Sequence, residues 1–68
     1  MIGVIFLHGQ KEWKRLCERV PAKGDAITFT HLLDIDAVDY EVTVVHWFQD
    51  EFWTNRLVPY VSLRRING

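Results

Sequence analysis

Apolar residues in this chain come in short bursts that alternate, or nearly alternate, with polar ones, and Pro, Gly or Asp separates the bursts. That spacing predicts strands rather than helices. Ile2, Val4, Ile5 and Phe6 carry enough β-branched and aromatic character for a first strand, before Gly9-Gln10 loosens the chain. Residues 26–33 place Ile27, Phe29 and His31 on one side, with Thr28 and Thr30 on the other. Residues 40–49 are the firmest strand, and a bulge near Val44-Val45 lets Tyr40, Val42, Val45 and Trp47 all point inward. Residues 57–66 form the last strand, with Val61 and Leu63 inward and Pro59 marking an edge or a bulge.

The segment 12–20 reads two ways. Trp13, Leu16, Cys17 and Val20 fall at i, i+3, i+4 and i+7, an amphipathic helix pattern. As a strand, Lys14, Leu16, Glu18 and Val20 alternate less cleanly against Arg15, Cys17 and Arg19. The segment lacks a strong N-cap and runs into Val20-Pro21, where proline fixes φ, removes a ladder donor and ends a strand. Gly24 then supplies the positive φ of a tight reversal. The turn decides for a strand, with one short helix as the alternative. Residues 34–39, rich in turn-forming aspartates, read as a loop, and residues 50–56 as a hairpin connection. The expected core is Val4, Phe6, Leu16, Val20, Ile27, Phe29, Tyr40, Val42, Val45, Trp47, Val61 and Leu63.

Short strands with these turns look like an SH3-like barrel. The series Phe6, Trp13, Val20-Pro21-x-x-Gly24-Asp25, Tyr40-x-Val42-x-x-Val45-x-Trp47 and Val61-x-Leu63 resembles small uncharacterised β-barrel proteins of bacteria and phages. The resemblance implies a mainly β fold, a partly open barrel of about five strands in one domain over residues 1–68, and no reaction. The aromatic insertion at residues 48–53 departs from the simplest barrel pattern. Phage proteins of this size often obstruct a host complex, as anti-CRISPR inhibitors do; by analogy, that implies a protein-binding inhibitor or accessory subunit.

Length and charge sharpen the picture. A 68-residue domain hides only about 60% of its extended-chain surface, so its core needs support. Cys17 is the single cysteine, which rules out an internal disulfide and suits a reducing compartment. No charged leader precedes an apolar run, and Ile2 to Leu7 is too short to cross a bilayer, so a cytoplasmic protein without a membrane role is expected. Charge is segregated: Lys11, Lys14, Arg15, Arg19 and Lys23 face Glu12 and Glu18 in a block of net +3. Asp25, Asp34, Asp36, Asp39, Glu41, Asp50 and Glu51 then make a block of −7, and Arg56, Arg64 and Arg65 one of +3. Either basic and acidic strands pair across the sheet, or an acidic face meets a basic partner.

Candidate chemistry fails at each site. Val4 to Gly9 resembles the strand and His-Gly turn of α/β-hydrolases, but the lone Ser62 sits in no nucleophile elbow. Counting a calcium loop from Asp34 puts Val38, Asp39 and Val45 where oxygen, glycine and glutamate are needed. His8, His31, His46 and Cys17 lack zinc-ligand spacing, and nothing local activates the thiol. The expectation is no enzyme, no metal and no cofactor. The basic segment around Trp13 suits a nucleic-acid-binding barrel, the alternative function, although the acidic block repels phosphate. The aromatic hairpin comes closest to a site. Phe48, Asp50, Glu51, Phe52 and Trp53 combine rings with charge as binding hot spots do, and a protein partner or a second copy is expected there. In a homodimer, Arg56, Arg64 and Arg65 would meet acids across a two-fold axis.

Overall fold

The computed structural model describes residues 1–31, 34–49 and 56–66, with only the backbone for residues 31 and 34–36. Five strands make one sheet: β1 (Ile2–His8), β2 (Lys11–Cys17), β3 (Ala26–His31), β4 (Asp34–Gln49) and β5 (Leu57–Arg65). Their order is β2-β1-β5-β4-β3. β1 runs parallel to β5, and the other neighbours are antiparallel. The sheet curls into a half-barrel, and the described residues include no helix.

Two glycines make the reversals. His8 lies opposite Lys11, leaving Gly9-Gln10 as a two-residue hairpin turn, and Gly9 at φ 60° supplies its left-handed position. Gly24, at φ 93°, donates its N–H to the Val42 carbonyl at 2.9 Å, and Asp25 Oδ2 accepts the Ala22 N–H at 2.8 Å. The bulge in β4 falls between Val42 and Val44, with Thr43 as the extra residue. Val42 therefore faces Leu63, Val45 faces Val61, and both share the inner side.

The core occupies the concave inner face. Val4, Phe6, Tyr40, Val42, Val61 and Leu63 are buried there, and each such side chain contributes on the order of 1.5–3 kcal/mol. Trp13 and Phe29 bridge the open mouth between the unpaired edges β2 and β3, their ring centroids 5.3 Å apart at 88°. Phe29 also meets the edge of Phe6 at 5.0 Å. Val20, Ile27, Val38, Val45 and Cys17 pack around this cluster.

Several expectations are corrected. Segment 12–20 is a strand as preferred, but β2 stops at Cys17, and Glu18-Arg19 form a bend ahead of Val20-Pro21. That bend breaks the alternation linking Leu16 to Val20. Trp13, opposite Phe6, sets the phase instead, and Leu16 points outward, 66% exposed. Residues 34–39 are strand rather than loop: Val38 pairs with Phe29, and the Thr28 hydroxyl donates to Asp39 Oδ1 at 2.6 Å. Pairing with β3 overrides the poor strand propensity of aspartate. Trp47 takes the inner side opposite Pro59, but β3 does not reach that far along β4, so it is 48% exposed. Pro59 lies in the central strand, not at an edge; the ladder to β1 begins one residue later, at Tyr60.

Candidate functional site

Among the described residues, the inner face is covered by its own edges, and the outer face is not. Register places the outer-facing residues in rows across β2, β1, β5 and β4. Leu16 faces Gly3, and Val58 faces Phe48, on one level; Lys14 faces Ile5, Ile5 faces Tyr60, and Tyr60 faces His46 on the next. Glu12, Leu7, Ser62 and Val44 make the third row. Most of these side chains are apolar, and Leu16, Val44 (52%) and Phe48 (47%) are markedly exposed.

Aromatic packing gives this face a fixed shape. The His46 imidazole stacks on Phe48 at 4.2 Å and 10°, and Phe48 meets the edge of Tyr60 at 4.8 Å. A shallow trough of about 1040 Å³ opens beside them, bounded by Ile5, Leu7, Lys14, Phe48, Val58 and Tyr60 among others. The Lys14 stem crosses β1, its Cε 2.9 Å from where a Cβ on Gly3 would stand. The far end of the face is polar: Arg64 Nη2 donates to Glu41 Oε1 at 2.8 Å, and the Thr43 hydroxyl to the Ser62 carbonyl at 3.2 Å.

Of the residues expected to bind a partner, Phe48 sits in the middle of this aromatic cluster. Asp50, Glu51, Phe52 and Trp53 lie outside the described residues. Ile5, Leu7, Leu16, His46, Val58 and Tyr60 were not read as site residues. Their signal is the near-continuous apolar runs of β1 and β5, which mark strands buried on both faces. Lys11, Lys14 and Arg15 lie on the edge strand β2, and Asp39 and Glu41 lie on β4, three strands away. Cross-strand pairing of opposite charges is met at Arg64 and Glu41.

For chemistry, His8 packs on the ring of Tyr40 at 5.1 Å and His46 on Phe48, so neither imidazole stands beside a nucleophile in these contacts. Cys17 is half-buried, its Sγ 4.0 Å from the Arg15 carbonyl. Among the described residues, no three His, Cys, Asp or Glu side chains cluster as metal ligands, and no helix is long and apolar enough to cross a membrane. No protein family matches the chain, and neither a curated protein nor a solved structure does.

Proposed function

We propose that this chain is a non-enzymatic protein-binding module that docks through the outer face of β1, β5 and β4. One observation supports the reading: β1 and β5 are apolar on both sides, and among the described residues the fold covers only one. Exposed aromatics held in place by one another, with charge at the margin, have the composition of an interface hot spot. The mode of action is obstruction or completion of a larger assembly, as an inhibitor or accessory subunit of phage or bacterial origin. A reducing, cytoplasmic setting suits the unpaired Cys17.

A second reading has one observation behind it. His46, Phe48 and Tyr60 could stack single-stranded bases, with Lys14 beside them. Glu12 on the same face and the acidic block oppose it. Both readings are tested by immobilising the wild-type chain and a Tyr60→Asp, Leu7→Asp variant side by side. Each is offered extract from the native host and then single-stranded RNA. A protein retained by the wild type and lost by a folded variant supports docking. Equal retention by both would remove this face from consideration, and salt-sensitive RNA retention would promote the alternative.

A further inference from the structure

We propose that the free edge of β3 takes an extended peptide as a sixth strand, one that alternates apolar and acidic side chains. This surface is separate from the outer face and does not depend on that face's role.

The two edges of the sheet differ. Edge strands are commonly guarded by charge, which discourages pairing with another chain. β2 is guarded in this way, by Lys11, Glu12, Lys14 and Arg15. Residues 26–30 of β3, Ala-Ile-Thr-Phe-Thr, carry no charge and are rich in strand-forming types. The ladder phase shows which of their backbone groups are turned to the edge. Val42 exchanges its backbone bonds with Gly24 and Asp25, and the Asp39 carbonyl accepts from Ile66. Tyr40 and Val38 therefore turn theirs to Ile27 and Phe29. Ala26 and Thr28 direct N–H and C=O at the open edge, where no strand pairs among the described residues.

The mouth between the edges has room for a strand and attracts an acidic one. Every described Cα of β3 stands more than 8 Å from every Cα of β2, too far for the two edges to pair at about 4.8 Å. The Trp13 and Phe29 rings still meet across the gap, centroids 5.3 Å apart, so the backbones stay within reach of two facing aromatic side chains. Two ladder spacings, about 9.6 Å, fall in that interval and fit one inserted strand. Its inward side chains enter a cleft of about 600 Å³ lined by Phe6, Ile27 and Phe29, with Arg15 and Arg19 beside them. Glu18 and Asp25 also line the cleft, but the Asp25 carboxylate already accepts the Ala22 N–H. The block from Lys11 to Lys23 is net +3, which favours acid in the partner. The other edge of β3 shows the same pattern in place. It pairs within residues 34–41, with Val38 opposite Phe29 and Asp39 Oδ1 accepting from the Thr28 hydroxyl at 2.6 Å. The uncharged β3 of a second copy lacks that acid.

The probe is an acetylated and amidated peptide of the chain's own 34–41 sequence, Asp-Ile-Asp-Ala-Val-Asp-Tyr-Glu. Added to the intact protein, it should slow amide exchange at Ala26 and Thr28 about tenfold or more, read by NMR. Its binding, followed by fluorescence anisotropy, should weaken about tenfold or more when Arg15→Glu and Arg19→Glu are combined. The same peptide with lysine in place of its aspartates should not bind. Thr28→Pro removes the edge donor while leaving the bonds of Ile27 and Phe29 to β4, and it should abolish binding. The exchange measurement on the wild type stands even where a variant fails to fold. No binding, or binding without protection at Ala26 and Thr28, overturns the proposal. So does equal binding of the lysine peptide. Protection of both amides in the free chain, together with a dimeric mass, also overturns it and gives the edge to a second copy.

Discussion

The inner and outer faces of the same three strands carry similar residues and meet different fates. Inside, Val4, Phe6, Val61 and Leu63 are buried because β2 and β3 curl over them and lend Trp13 and Phe29 as a roof. Outside, Ile5, Leu7, Val58 and Tyr60 come from the same apolar and aromatic stock, yet no strand among the described residues crosses them. Hydrophobicity therefore does not decide which face becomes the core. Curvature does. Curvature follows from the reach of the two edge hairpins, and the bulge at Thr43 adds a local twist. The outer face, which no described strand covers, keeps its apolar character, which is why it is the proposed place of association.

The largest effect that can break this comparison is on the inner side. Phe6→Ala removes the ring that touches both Trp13 and Phe29 and should cost about 3–5 kcal/mol. That approaches the whole stability of a domain this size, so urea titration should find the variant largely unfolded. A cost below about 1 kcal/mol would mean that the inner cluster is not the core. Trp13 sharpens the same point at intermediate scale, because its indole N–H is buried without a partner in the described contacts. An unsatisfied buried donor costs about 1–3 kcal/mol, which Trp13→Phe relieves while keeping a ring against Phe29. Trp13→Phe should therefore fall within about 1 kcal/mol of the parent by thermal melt, whereas Trp13→Ala should lose about 3–5 kcal/mol. Equal losses in both would show that the N–H has a partner worth keeping.

The inner face was largely legible in the sequence, and the outer one was not. Val4, Phe6, Tyr40, Val42, Val61 and Leu63 are buried as expected because each lies in a strand whose phase is set locally, with the bulge in β4 read to within a residue. Leu16 was misplaced because its phase depends on pairing with Gly3, which is distant in sequence, and because the bend at Glu18-Arg19 breaks its alternation with Val20. Aspartates 34, 36 and 39 signalled a turn, and pairing with the neighbouring strand β3 makes them strand. Of the residues expected to meet a partner, Phe48 lies in the aromatic cluster of the outer face. Ile5, Leu7 and Tyr60 needed the sheet order, since a run of apolar residues does not say which side the chain will leave bare.

The smallest predicted effect marks where the outer face changes character. Arg64 and Glu41 form their 2.8 Å ion pair on this face, beyond the apolar rows, with side chains 65% and 39% exposed. A pair so placed is screened by water and gains little beyond the entropy lost in holding two long side chains together. Arg64→Ala should therefore cost no more than about 1 kcal/mol, and less still in 1 M salt, where the Debye length falls to about 3 Å. Thermal melts of parent and variant at low and high salt measure both quantities. If the loss instead reached about 3–5 kcal/mol and ignored salt, the pair would be desolvated by something lying over it. A covering layer would then reach Arg64, and the division between an apolar half and a solvated polar half of this face would have to be redrawn.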